Sequence, residues 1–173
     1  MLTTEEMKYY ILSYYRFQRQ YPMTATEVGI WGGYIADVLA SDYKEFIEVE
    51  IKISENDLIN DFQHKEEKHT AYLDTTLHKT ATLPTELYAM MPNKFLYAVP
   101  VELYKTALEL IKGTPYGLIY VDTNNMKLSA NSFVKVAKHS NTINRVYPKK
   151  LEHACIARMS SEIINLYETL LDI

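Results

Sequence analysis

Residues Ala36–Ser54 read ADVLASDYKEFIEVEIKIS, and the fold class rests on how this stretch is interpreted. Val38 stands in a short apolar run, and Ile47, Val49, Ile51 and Ile53 alternate with polar residues, the pattern of half-buried strands. The expectation is a first central strand over 34–40 and a second over 45–53, with Ser41-Asp42-Tyr43-Lys44 as the turn between them. The polar face of the second strand carries Glu48, Glu50 and Lys52. Asp37 interrupts the apolar run of the first. A carboxylate there is costly unless something pairs with it.

The flanking chain supplies helices on both sides. Thr3 and Thr4 precede Glu5 and Glu6, an N-cap followed by acids in the first turn. A helix is expected over 5–20, with Pro22 beyond its end. The stretch 24–34 carries the Gly32-Gly33 turn, and Glu27 falls just before it in a short extended segment at the sheet edge. Ser54 is a second N-cap, with Asp57 in the acid position of a capping box, and the helix it starts is expected over 55–72. The segment 73–93 has mixed signals, broken by Pro84 and Pro92. Phe95–Val99 (FLYAV) reads as a buried strand, 101–112 as a helix entered through Pro100, and Gly117–Val121 (GLIYV) as another strand. The chain then returns through Met126 to Lys138, and a helix over 151–171 closes it. Strands alternating with helices predict an α/β fold, a central mixed β-sheet flanked by helices, in a single domain over 1–173.

The bulk composition is that of a globular protein: 173 residues, 47% hydrophobic and 23% charged. A net charge of -4 argues against nucleic-acid binding by bulk charge but leaves room for a local basic groove. One cysteine, Cys155, excludes an internal disulfide and a thiolate zinc site built from this chain alone. Acids stand where a secretory leader would carry bases, and no apolar stretch approaches a membrane span. The expectation is a cytoplasmic protein with no membrane partner.

Glu50 and Lys52, two apart on a strand, point to the same face about 6.6–7 Å apart. Asp37 reaches that face if the register of the neighbouring strand allows. Two converging carboxylates suit Mg²⁺ or Mn²⁺, which take oxygen ligands. Such an ion polarises a phosphate oxygen and acidifies a bound water, and a neighbouring lysine orients that water or stabilises the charge on phosphorus. Glu27 is a candidate third carboxylate, and the Ile51 carbonyl a further ligand.

Asp37, then Glu50-Ile51-Lys52 followed at once by a helix, resembles the PD-(D/E)XK superfamily, the restriction-endonuclease-like fold. Asp37 stands at the first acid of that motif, Glu50 at the second and Lys52 at the lysine. Glu27 resembles the upstream acid that many members carry. The resemblance covers roughly 26–121 and is similar to small bacterial or phage nucleases of the DNA-repair or resolvase-like branch. It implies divalent-metal dependence and phosphodiester hydrolysis, with DNA as the expected substrate. The proline of the first half-motif is absent, since Ala36 precedes Asp37. Glu48 remains a rival to Glu50 for the metal.

Each feature also has a plainer reading. Glu48, Glu50 and Lys52 fit the solvent face of an antiparallel strand with weak cross-strand pairs. The run Gln63–His69 fits a solvated helix face. Its functional counterpart is phosphate contact by Lys65, Lys68 and His69, with Arg158 in the most basic local patch. The alternatives to a nuclease are a catalytically inactive module of phage or mobile-element origin on the same fold, binding nucleic acid or protein, and a small-molecule-binding α/β domain. The sequence leaves the oligomer open; a homodimer is compatible, since two-fold dimers are common among proteins that cut both strands of a symmetric site.

Overall fold

The computed structural model describes residues 2–73, 88–124 and 129–171. Six strands form one sheet in the order β1-β2-β3-β4-β5-β6, which is also their order in the chain. They are β1 Met23–Gly29, β2 Ile35–Ser41, β3 Phe46–Ile51, β4 Lys94–Pro100, β5 Gly117–Val121 and β6 Val134–Lys138. The three central strands β3, β4 and β5 are parallel, and β1, β2 and β6 are antiparallel to their neighbours. This is a mixed-sheet α/β fold, as the strand–helix alternation requires. The helices are α1 Thr4–Ser13, α2 Glu55–His64, α3 Glu66–Leu73, α4 Tyr104–Leu110 and α5 Lys149–Leu171. Among the described residues no helix is long and apolar enough to cross a membrane.

One face of the sheet, built from Val38, Ala40, Ile47, Val49, Ile51, Leu96 and Ala98, packs on Met7 and Ile11 of α1. The other face carries Phe95, Tyr97 and Leu118, covered by Leu58 of α2, Tyr72 of α3 and Ala107 of α4. The crossovers β3→β4 and β4→β5 thus lie on one side, as parallel neighbours joined by same-handed connections must. A third cluster seats Leu151 and Cys155 of α5 on Met23, Ala25, Leu39 and Phe46.

Several boundaries differ from the sequence expectation. β1 is a full edge strand, its alternation disguised by Glu27 at φ +52°. The first helix keeps its capping box, with Thr3 N–H donating to Glu6 at 2.8 Å and Glu6 N–H to the Thr3 hydroxyl at 3.2 Å. It ends at Ser13 and widens into a π-turn over Tyr14–Gln18, where the Tyr14, Tyr15 and Tyr21 rings crowd together. Ser54 caps α2 by accepting the Asp57 N–H at 3.2 Å. The helix expected over 55–72 breaks at Lys65, whose backbone leaves the helical region (φ -113°, ψ 39°) and restarts as α3. Most of the mixed-signal segment 73–93 and part of the return between β5 and β6 lie outside the described residues.

Candidate functional site

β2 and β3 are paired only as far as Val38 opposite Val49. Beyond that point β2 stays with β1, through Ala36 opposite Val28. β3 stays with β4, through Glu50 opposite Tyr97 and Ile51 opposite Ala98. The sheet therefore forks, and Asp37 stands in the fork. Its Oδ2 accepts the Ile51 backbone N–H at 2.7 Å, supplying the acceptor that β2 no longer offers.

The register settles which face the acids share. Leu39 lies directly opposite Glu48, so the two point the same way. Asp37 is two residues from Leu39, and Glu50 and Lys52 are two and four from Glu48, which puts all of them on the helix-covered α2/α3 face. A residue's N–H and C=O leave a strand on the same edge, so the Ile51 carbonyl also leaves toward Asp37.

This face is not the solvated one that a plain amphipathic strand would have. Glu48, Glu50 and Lys52 are all buried. Lys52 Nζ lies 3.0 Å from Glu50 and 2.9 Å from Asp61 of α2. Lys68 Nζ bridges Glu48 at 2.5 Å and Glu50 at 3.0 Å. Lys65, at the α2/α3 break, pairs with Glu50 and lies 2.9 Å from Asp61. The Tyr72 hydroxyl donates to Glu48 at 2.5 Å and accepts from the Trp31 indole N–H at 3.2 Å. Asp61 also accepts from the Tyr97 hydroxyl at 2.7 Å and meets His69 Nε2 at 3.1 Å, while His69 Nδ1 meets the Tyr116 hydroxyl at 2.9 Å.

Protonation follows from these contacts. Burial works to raise the Glu50 pKa, but the ammoniums of Lys68, Lys52 and Lys65 together hold it below the usual carboxylate range. Burial likewise opposes ionisation of Asp61, and His69, Lys52 and Tyr97 outweigh it. Burial works to lower Lys52, and Glu50 and Asp61 keep it raised and charged. Glu48 alone among the three caged acids is raised, because its burial is complete.

In the cage Glu48, Glu50 and Asp61 face Lys52, Lys65 and Lys68, with the half-exposed Asp57 3.7 Å from Lys52 at its edge. Asp37 stands apart from these pairs. Among the described residues no ammonium or guanidinium lies within ion-pair distance of it, and its only hydrogen bond is from Ile51. Burial, and then the nearby Glu50 charge, push its pKa up to about 6, against the Ile51 N–H and Lys52, which lower it.

The sequence expectations fare unevenly. Asp37, Glu50, Ile51 and Lys52 are brought together. Glu27 stands opposite Asp37 between the flanking pairs Thr26–Val38 and Val28–Ala36. Its positive φ turns the side chain out of register, and its carboxylate meets Lys8 of α1 at 2.5 Å. Its charge still contributes to raising Asp37. Among the described residues no three His, Cys, Asp or Glu side chains stand together as a group that could hold a metal. The expected solvated face on Gln63–His69 is corrected for Lys68 and His69. Both are buried, Lys68 completely, because they bond to Glu48, Glu50 and Asp61. Lys65 is partly exposed at the rim. Arg158 is anchored on β1, its Nε donating to the Thr26 carbonyl at 3.0 Å and lying 3.3 Å from Glu162. Asp61, Tyr72, Tyr97 and Tyr116 were not anticipated as members of the site. The signal was present in α2 and α3: Asp61, Lys65, Lys68 and Tyr72 repeat at four, three and four residues, a polar stripe with the spacing of a buried one.

No protein-family model matches the chain, and no curated protein does. Among solved structures it is similar to a protein of unknown function from Silicibacter pomeroyi, at a TM-score of 0.62 and 13% identity, over 99% of this chain and 93% of that one. At that identity the likeness establishes the fold alone.

Proposed function

We propose that the chain is a divalent-metal-dependent phosphodiester hydrolase of the PD-(D/E)XK, restriction-endonuclease-like type, acting on nucleic acid and on DNA first. One observation carries the reading: an uncompensated, half-buried carboxylate, Asp37, in the fork beside Glu50-Ile51-Lys52. The donor set suits Mg²⁺ or Mn²⁺, since every candidate ligand is an oxygen. Asp37 and the Ile51 carbonyl are free to serve. Glu50 serves once Lys65, the most exposed of its three lysines, gives way. When bound, such an ion supplies Lewis-acid polarisation of a phosphate oxygen and an acidified water. The chain's own residues do the rest. Lys52, held by Glu50 and Asp61, stays protonated and offers a fixed positive charge for the developing phosphorane. A cytoplasmic setting belongs to the same proposal, and the single, buried, free Cys155 needs no oxidising compartment.

The test is the purified protein with Mg²⁺ or Mn²⁺ against labelled linear, branched and single-stranded DNA and RNA. Cleavage that falls by about 10²–10³ in Lys52→Met supports the assignment. Undiminished cleavage by that variant removes it. A second reading, an inactive nucleic-acid- or protein-binding module, is favoured by the lysines already seated on Glu50. It is selected if wild type binds nucleic acid without cutting and shows no Mn²⁺ heat.

A further inference from the structure

Among the described residues, the apolar side chains in the C-terminal half of α5 point away from the sheet and are exposed. The face of the helix on the sheet is made by Leu151, Cys155, Arg158 and Glu162, which meet β1 through Met23, Ala25 and Thr26. At about 100° per residue, Ile163, Ile164, Leu166, Tyr167, Leu170 and Leu171 fall on an arc of roughly 160° pointing away from that contact. All six are exposed, Leu166 at 63% and Leu170 at 77%. With Ile156 they offer on the order of 800 Å² of accessible surface, more than the 300–600 Å² of the largest apolar patch on a typical monomer. Ile164 and Leu171 lie to one side of the arc, and the remainder, roughly 600 Å², is at the lower end of what each partner contributes to a specific interface.

The spacing identifies the occupant. Ile156, Met159, Ile163, Leu166 and Leu170 alternate at three and four residues, the seam of a coiled coil. Ile156, Ile163 and Leu170 take the a positions and Met159 and Leu166 the d positions, β-branched at two of the three a sites, which leans toward two helices. Between Met159 and Leu171 the only charged residues are Glu162 and Glu168. Glu162 is consumed by Thr26 and Arg158. A lipid surface would call for lysines or arginines flanking the apolar arc, and this stretch has none. A seam that is apolar at both a and d is complementary to itself, and two-fold pairing is the commonest oligomeric arrangement.

We infer that α5 pairs with α5 of a second copy of this chain through the seam of Ile156, Ile163, Leu166 and Leu170, forming a two-fold homodimer. The inference is independent of the metal-site reading. The wild-type protein, studied by sedimentation from about 1 to 100 µM, is expected to show twice the chain mass, with a dissociation constant at or below about 1 µM. The double variant Leu166→Glu/Leu170→Glu is expected to run as a monomer with its circular dichroism unchanged. A monomeric wild type at 100 µM overturns the inference whatever the variant does. So does a double variant that stays dimeric, which would place the interface elsewhere. Should the double variant fail to fold, the single Leu170→Lys variant, at the most exposed seam position, is expected to weaken the dimer at least tenfold, and an unchanged constant overturns the inference.

Discussion

Replacing Asp37 by Asn keeps the shape and the acceptor for the Ile51 N–H while removing a charge that the folded chain holds at a cost. The carboxyl pKa rises from the ordinary 3.8 to about 6 on folding. At 1.36 kcal/mol per pH unit this is about 3 kcal/mol of destabilisation once the group is ionised. The group is half-buried rather than sealed, so roughly 1–3 kcal/mol is the working range. The sign follows from proton counting. The folded state binds the Asp37 proton more tightly than the unfolded state, so this group's contribution favours folding below about pH 4. It declines as pH rises to about 6 and is level above that. Asp37→Asn should match wild type near pH 4 and exceed it at pH 7, by about 2–12 °C in melting temperature for a chain of this size. Thermal melts in EDTA from pH 4 to 8 read this directly. Mn²⁺ should then raise the melting temperature of wild type and leave the variant unmoved, with the wild-type response fading tenfold per pH unit below about pH 6. A variant no more stable than wild type at pH 7, or one that responds to Mn²⁺ equally, would refute the reasoning that Asp37 is a carboxylate waiting for a cation.

Two further substitutions separate the rim of the cage from its floor. Lys65→Met removes the partly exposed ammonium from Glu50 and should tighten Mn²⁺ binding about tenfold in calorimetry, and weaker binding would show that Lys65 supports the ion rather than competing with it. Lys68→Met leaves Glu48 and Glu50 buried without their shared cation, and should lower stability by about 3–5 kcal/mol in urea unfolding, far more than Lys65→Met.

The strands and their mixed order were legible because Ile47, Val49, Ile51 and the FLYAV and GLIYV runs carry period-two or continuous apolar signals. The edge strand β1 was legible only in part. Its Glu27 takes a backbone conformation that no propensity rule assigns to glutamate, and the turn it makes hides the alternation. The shared face of Asp37 and Glu50 was legible only as far as strand alternation goes; whether they approach depended on the register, which the sequence left open. The lysine cage did not, because Lys65 and Lys68 read as solvated by residue type. Their burial depends on three acids delivered from β3 and α2, a tertiary fact. The closing helix was legible from its apolar period, and Leu151 and Cys155 seat its start on the sheet. The same period continues beyond the end of the sheet contact, where Ile163, Leu166 and Leu170 are exposed among the described residues.

The site divides into groups that cannot move and groups that can. Lys68, Glu48, Tyr72 and Trp31 form a continuous chain of contacts running from the sheet into the helix layer, and Lys68 and Glu48 have no exposed surface at all. Asp61 is fixed by Tyr97 and His69, and in turn fixes Lys52. These contacts hold Glu50 ionised and fixed in place on folding. Lys65 differs in position: it sits at the helix break, on the rim, with the freedom to exchange Glu50 for solvent. Asp37 differs in pairing: among the described residues no cation lies within ion-pair distance of it, and Ile51 N–H is its hydrogen-bond donor. Under the proposed metal-binding reading, a cation entering the fork would meet its first carboxylate unpaired and its second by displacing the partly exposed Lys65. The deeper pairs would then stay as they are, so under that reading a cage fixed on folding and a fork open to a cation are compatible.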